Sequence, residues 1–143
     1  MITSPKDTVF YTIEKAIKEY KRFAFKRIQK TFNDITLDQV LLILFLHENP
    51  SLSQSEIAKI IFKDNASVTR MIELMVKNKY LKRSIDKNDR RKYKIKLTDK
   101  AKHSLNDMNK IILSNRTTAQ KGIDSNDIES LTRTLDKITE NCK

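Results

Sequence analysis

The chain has 143 residues, of which 33% are charged, and its net charge at pH 7 is +11. That length fits one domain, or one domain with an added arm. The charge favours a polyanionic partner, either nucleic acid or an anionic membrane surface, although a solvated basic surface is the alternative that charge alone leaves open. The single glycine excludes a glycine-rich phosphate-binding loop, which needs several glycines for close approach of the backbone.

The sparse cysteines and histidines exclude further classes of site. One cysteine, Cys142, excludes an intramolecular disulfide and a cysteine-based metal cluster. His103 has Asp99 and Asp107 four residues to either side, so these three side chains share a helix face, but chance gives such spacings in a chain this polar. No pair of a nucleophile and a base emerges. We therefore expect no metal, no cofactor and no enzymatic activity.

Neither a signal peptide nor a membrane span is visible. The N-terminal residues lack an apolar core, and no apolar run approaches the roughly 18 residues of a membrane span. We therefore expect a cytoplasmic protein. Between Thr8 and about Thr31, apolar residues recur every three or four positions beside a stripe of lysine and arginine, which predicts a long amphipathic helix. A packing or partner helix is the preferred interpretation, and a basic membrane-surface helix is the alternative.

Two capping boxes mark the next helix starts. Thr36 with Gln39, and Ser53 with Glu56, each pair a hydroxyl with a Gln or Glu three residues later. The first box opens the run 40–46, which is hydrophobic nearly all round and therefore belongs in a core. The second opens a short helix.

A further helix, capped by Asp64, separates into two faces. Because residues three and four apart share a side of a helix, its apolar side chains lie on one face and its small or polar ones on the other. Two short helices joined by a few residues, the second with polar groups at its N-terminal end, predict a helix-turn-helix. The apolar face comprises Val68, Met71, Ile72, Met75 and Val76, and the other face comprises Ala66, Thr69, Arg70, Glu73 and Lys77.

A basic β-hairpin is predicted next. Residues 80–85 form one strand, 86–92 a loop and 93–97 the returning strand, with Asn88 the natural residue for a turn position of positive φ. Ten basic and three acidic residues lie in 82–102, so this segment carries seven of the eleven net charges. Strict alternation directs one set of side chains to the core and the basic set outward to phosphates. The anchoring set comprises Tyr93, Ile95 and Leu97.

Two helices complete the chain. Thr98 caps a helix that runs to about Lys121, and Gly122 occupies the position where a helix end favours a left-handed residue. Asp124 or Ser125 then caps a last amphipathic helix with its apolar residues on one stripe. The fold class is therefore mainly α with a small β-hairpin.

The chain resembles the MarR family, the multiple-antibiotic-resistance-type winged-helix transcription regulators. The resemblance covers nearly the full length, and its most specific part is Asp89-x-Arg91, five residues, then Leu97-Thr98. Residues 67–83, SVTRMIELMVKNKYLKR, also resemble the family's recognition helix and lead-in to the wing. The family commonly has glycine at the positions of Lys79 and Ala101, and Asn78 is expected to supply the helix-ending conformation instead.

This resemblance implies a winged helix-turn-helix that forms a homodimer through its terminal helices. It divides the chain into an N-terminal dimerisation helix (1–34), a DNA-binding domain (35–99) and C-terminal dimerisation helices (100–143). Two-fold symmetry then implies a pseudo-palindromic operator with half-sites about one helical turn apart. The function implied is that of a repressor, released by a small lipophilic or phenolic effector. The residues that could line an effector cleft, with a core role as the alternative, are Tyr11, Tyr20, Phe45 and His47.

Residue roles follow from the chemistry and the resemblance together. The expected major-groove residues are Ala66, Ser67, Thr69 and Arg70, and Arg70 could read guanine in a bidentate contact worth roughly 1–3 kcal/mol. The expected wing residues are Asp89, Arg90 and Arg91, of which Arg91 would enter the minor groove with its guanidinium held by Asp89. The phosphate contacts expected beside Arg90 are Lys87, Lys92 and Lys94. Two simpler roles stay open, a turn aspartate for Asp89 and solvated charge for each lysine.

A different class of function also fits the pattern. Winged helices serve in protein assembly and in binding RNA or DNA without sequence preference. Selection from a random pool of duplexes separates the two, because a sequence-specific dimer returns an inverted repeat and a non-specific module does not.

Overall fold

The computed structural model describes residues 1–89 and 93–143, and this part of the chain is mainly helical with a two-stranded antiparallel wing. The predicted order of elements is confirmed, and a short 3-10 turn, Pro5–Asp7, precedes the first helix. The helices are α1 (Val9–Gln29), α2 (Leu37–Glu48), α3 (Gln54–Ile60), α4 (Asn65–Lys77), α5 (Asp99–Ala119) and α6 (Ser125–Asn141). The strands are β1 (Leu81–Ile85) and β2 (Tyr93–Leu97).

Side-chain caps begin the helices where the sequence predicted them. Thr36 Oγ1 accepts the Gln39 backbone N–H at 3.3 Å, and the Gln39 side chain accepts the Thr36 N–H at 3.0 Å. The same reciprocal pair joins Ser53 and Glu56 at the start of α3. Both capping boxes are confirmed, and each satisfies two backbone donors that a helix start would otherwise leave unpaired. At α6 the cap is Asp124.

The core forms around α2, which is buried on most of its circumference, as its uniformly apolar sequence predicted. Helices α1, α4 and α5 and the base of the wing each contribute one apolar face to it. A buried Leu or Ile side chain contributes roughly 1.5–3 kcal/mol relative to exposure, so these contacts dominate the stability of the fold. The deeply buried residues include Ala24, Ile28, Leu42, Ile43, Val68, Ile72, Met75, Leu81, Met108 and Ile112.

The wing shows the predicted alternation. β1 and β2 pair antiparallel with Leu81 opposite Leu97, and Ile95 on the inner face is 3% exposed. Lys94 and Lys96, on the other face of β2, are exposed. The anchoring role is confirmed for Ile95 and Leu97, whereas the Tyr93 side chain lies outside the described part of the structure.

Two non-glycine residues in the described ranges have a positive φ, and neither is an asparagine. Lys79 (φ 66°) ends α4 in a Schellman motif, in which the Tyr80 N–H bonds to the Met75 carbonyl at 2.9 Å. The expectation for Asn78 is therefore wrong, because Asn78 keeps φ at −83° and the left-handed turn falls one residue later. Asn88 does not have the predicted positive φ either. Gly122 does, with φ 78°, as predicted.

Phe62 is the other such residue, with φ 59° at the end of α3 and a side chain that is 93% exposed. The left-handed conformation is unstrained for glycine and costs other residues roughly 1–2 kcal/mol. Because the exposed ring contributes little packing, we expect Phe62→Gly to raise the free energy of unfolding by about 1 kcal/mol, measured by urea denaturation. Phe62→Ala retains Cβ and is the matched control, for which no gain is expected. A glycine variant no more stable than the alanine variant would contradict this prediction.

Candidate nucleic-acid interface

Helix α4 presents the predicted polar face to solvent. Ala66, Arg70 and Glu73 are exposed and Thr69 is partly buried, whereas Val68 on the opposite face is fully buried. The apolar positions hold the helix on the core by one side only. The side that remains exposed carries Ala66 and Arg70 close to the helix N-terminus, which suits entry into a major groove.

A chain of hydrogen bonds organises the N-terminal end of this face. The Ser67 N–H donates to Asp64 Oδ1 at 2.7 Å, and the Ser67 hydroxyl donates to Asp64 Oδ2 at 2.9 Å. Arg70 Nη2 then donates to Ser67 Oγ at 3.2 Å. The backbone bond from Ser67, followed by its hydroxyl bond, lowers the pKa of Asp64. Asp64 is therefore an ionised cap at neutral pH, and the Ser67 hydroxyl positions Arg70 from within the protein.

Gln54 is a contributor that sequence reasoning missed. Its side-chain amide donates to Thr69 Oγ1, which itself donates to the Asn65 carbonyl at 2.9 Å. Gln54 is the first residue of α3 and lies fifteen positions before Thr69. Because no periodicity links residues on two different helices, the sequence carried no signal for this contact.

One side chain of the wing lies beside the exposed face of α4. Arg83 Nη2 on β1 lies 4.0 Å from Glu73 Oε1 on α4. Lys82 and Lys96 face each other directly across the two strands, and both are exposed. Like charges opposite each other destabilise a strand pair, and a polyanion bound to this face would offset that repulsion.

The remaining wing residues are only partly described. Lys87 and Lys94 are exposed, as phosphate contacts require, and Asp89 is exposed as well. The expectations for Arg90, Arg91 and Lys92 fall outside the described residues. The contact between Asp89 and Arg91 therefore stays a prediction.

A polar cluster beneath the wing joins three parts of the chain. Tyr80, 2% exposed, donates its hydroxyl hydrogen to Asp34 Oδ1 at 2.7 Å, and Lys100 Nζ lies 3.3 Å from Asp34 Oδ2. Lys100 also donates to the Asn78 carbonyl at 2.8 Å and lies 4.1 Å from the centre of the Tyr80 ring. Burial, followed by the bond to Asp34, raises the pKa of Tyr80. The cluster fixes the wing against the loop before α2 and the first turn of α5.

The pH dependence of stability should report on this cluster. Burial raises the pKa of Asp34, but the hydrogen bonds from Tyr80 and Lys100 outweigh it, so the pKa is lowered overall. A carboxyl group with a lowered folded-state pKa stabilises the protein fully above its unfolded pKa of about 4, and that contribution disappears as the pH falls through the folded value. We expect Asp34→Asn to lower the melting temperature at pH 7, and the difference from wild type to shrink below pH about 4. The Asp34 side chain is 36% exposed, so solvent screening keeps the ion-pair part of this effect small. A difference that stays constant down to pH about 2 would contradict the prediction.

The structure also bears on the candidate metal site and on the possibility of a membrane span. Among the described residues, no three His, Cys, Asp or Glu side chains are placed to hold a metal ion, so Asp99, His103 and Asp107 do not form a ligand set. Within the same part of the chain, every helix is too short or too polar to cross a membrane.

A helix-turn-helix of α3 and α4, followed by a basic β-hairpin, defines a winged-helix DNA-binding protein. Residues 35–93, which contain α2, α3, α4 and β1, match the model of the MarR family. This match identifies that region, less than half of the chain, as a winged helix-turn-helix of the MarR family type.

Solved structures share the fold over nearly the whole chain. BpsR from Bordetella bronchiseptica, whose DNA binding is regulated by 6-hydroxynicotinic acid, is 19% identical with a TM-score of 0.86, and the match covers 97% of this chain and 98% of BpsR. MepR from S. aureus, solved as a DNA complex, is 21% identical with a TM-score of 0.83, covering 98% and 100%. A MarR regulator from Methanosarcina mazei is 23% identical with a TM-score of 0.78, covering 93% and 94%. The shared fold therefore includes the terminal helices, outside the residues that match the family model.

Proposed function

We propose that the protein is a dimeric, sequence-specific repressor that a small-molecule effector releases from DNA. The exposed polar face of α4 and the basic outer face of the wing carry this proposal, because together they offer a base-reading element and a phosphate-binding one. Arg70 is the guanine reader, Ala66 and Thr69 contact neighbouring base edges, and Ser67 positions Arg70. In the wing, Arg91 enters the minor groove with Asp89 as its partner. The phosphate contacts are Lys87, Arg90, Lys92 and Lys94.

The exposed apolar faces of the terminal helices support the proposed homodimer. Helix α6 has no buried residue, yet its apolar side chains fall on one stripe. Large apolar side chains are also exposed along α1, including Phe10 and Ile17. An amphipathic helix gains stability only by covering its apolar face, and a second copy of the chain is the partner that two-fold symmetric operators require. The division into 1–34, 35–99 and 100–143 follows from this arrangement. The α6 stripe comprises Ile128, Leu131, Leu135 and Ile138.

A cleft between the DNA-binding region and α5 supports the proposal that a small effector binds to this protein. It has a volume of about 560 Å³, and its floor is formed by apolar residues of α2, β2 and α5. Of the four candidate residues, His47 is among its lining residues. Three lysines surround the floor, so a small lipophilic or phenolic molecule carrying a negative charge fits it best. The apolar lining includes Leu46, Pro50, Ile95, Leu97 and Leu105, and the lysines are Lys94, Lys96 and Lys102.

This cleft gives a physical route to release. Lys94 contributes both to the cleft and to the outer face of the wing. An anion bound in the cleft would draw that cation away from phosphate and shift β2 against α5. The regulation of BpsR by 6-hydroxynicotinic acid, a small aromatic acid, supports the same class of effector here.

Duplex selection at near-physiological salt tests the DNA-binding part of the proposal. Purified full-length protein is incubated with a random pool, and bound duplexes are sequenced. We expect one inverted repeat with half-sites about one helical turn apart. Small aromatic acids titrated into the resulting complex, at constant ionic strength, then test release. A pool without any enriched repeat would favour the alternative, a winged-helix module for protein assembly or non-specific nucleic-acid binding.

A further inference from the structure

The hydroxyl group of Thr69 is already committed inside the protein. Its proton is donated to the Asn65 carbonyl one turn earlier in α4, at 2.9 Å. Its oxygen accepts a hydrogen bond from the side-chain amide of Gln54. A threonine hydroxyl has a single proton, so Thr69 cannot also donate a hydrogen bond to a base.

Thr69 nevertheless lies on the face of α4 that carries Ala66 and Arg70, and it is only partly buried. In the major groove, guanine N7 and O6 and thymine O4 all require a donor, which this hydroxyl cannot supply. Two groups are left to meet a base: the second lone pair of the oxygen, which only an adenine or cytosine amino group could use, and the γ-methyl, which matches the methyl group that thymine presents in that groove.

We propose that Thr69 reads thymine through contact between its γ-methyl group and the thymine C5-methyl group. Gln54 is the positioning residue that fixes the side chain in this orientation from the neighbouring helix. The inference rests on the proposed function, because it requires α4 to enter the major groove. It adds thymine, read by Thr69, to the guanine that is assigned to the next residue, Arg70.

Deoxyuridine substitution tests this directly. Each thymine of the selected operator is replaced in turn by deoxyuridine, which removes only the C5-methyl group and leaves the hydrogen-bonding edge intact. Loss of one buried methyl group weakens binding about fourfold. We therefore expect a loss of that size at one thymine in each half-site, measured by fluorescence anisotropy with the full-length protein.

Two variants assign the effect to the side chain. Thr69→Ser keeps the hydroxyl and lacks the methyl, so it should bind the thymine and deoxyuridine operators equally. Gln54→Met removes the amide donor and should reduce the preference for thymine at the same base, without changing the salt dependence of binding. Lys77→Ala changes an exposed residue of α4 that has no assigned role in base recognition, and it should leave that preference unchanged. Unfolding midpoints of all three variants check that the fold is intact.

The outcomes separate this inference from the proposed function. A selection that returns no inverted repeat contradicts the proposed function. A clear repeat without a deoxyuridine-sensitive thymine overturns the inference alone, as does a sensitivity that Thr69→Ser retains. Thr69→Val lacks the hydroxyl and keeps a methyl group, so a loss of preference for an adenine or cytosine in that variant would also overturn the inference, because the hydroxyl oxygen would then be accepting from the amino group of that base.

Discussion

Replacing Leu131 by aspartate is expected to produce a monomer that binds the operator at least about a hundredfold more weakly. A dimer bound at one half-site holds its second DNA-binding domain at a high effective concentration near the other half-site, and this raises its affinity by a factor of that order. Leu131 is 53% exposed in the single chain and lies on the apolar stripe of α6. In a dimer that buries this stripe, the carboxylate would lose its hydration without gaining a partner, which costs several kcal/mol. The fold of each chain should survive, because α6 contributes no buried residue to the core.

A matched control separates this effect from the added charge. Ser130→Asp adds the same carboxylate to α6 at an exposed position off the apolar stripe, and it should stay dimeric with its operator affinity nearly unchanged. Sedimentation equilibrium gives the mass of each variant, and anisotropy titration gives its affinity. A Leu131→Asp protein that remains dimeric, or a monomer that binds as tightly as wild type, would refute the proposed dimer interface.

Replacing Arg70 by alanine is expected to erase discrimination at one base pair of each half-site. A bidentate contact from arginine to guanine is worth roughly 1–3 kcal/mol, so the preference for that base should fall by about tenfold to a hundredfold. Affinity for unrelated duplexes should fall much less, because the residue reads a base edge. Arg70 is exposed and its guanidinium donates to the Ser67 hydroxyl at the helix surface, so the variant should fold normally.

Lys94→Ala is the informative comparison for Arg70→Ala. A lysine that neutralises one phosphate contributes equally to every sequence, and its removal lowers the slope of log affinity against log salt by about one. We therefore expect Lys94→Ala to weaken specific and unrelated duplexes by the same factor, while the base preference is kept. Equal losses on every sequence for both variants would contradict the roles assigned to them.

The amino-acid sequence by itself determined the elements and the surfaces that they present. The capping boxes at Thr36 and Ser53 act within four residues, so they are legible without a structure. Alternation along 93–97 and the three-and-four spacing along 65–77 each fix which side chains face the core, because a backbone of known period leaves no other choice. The likeness of 89–98 to a family motif then gave the function class. Every one of these signals is local in the chain.

Tertiary structure decided the contacts between elements. The Gln54 amide on Thr69, the Arg83 side chain beside Glu73, and the joining of Asp34 to Tyr80 all depend on how two elements are oriented, which no sequence period encodes. Even the end of α4 was settled this way. The Schellman turn closes at Lys79 because Tyr80 must enter the core and reach Asp34, and this requirement overrides the intrinsic preference of Asn78 for the left-handed region.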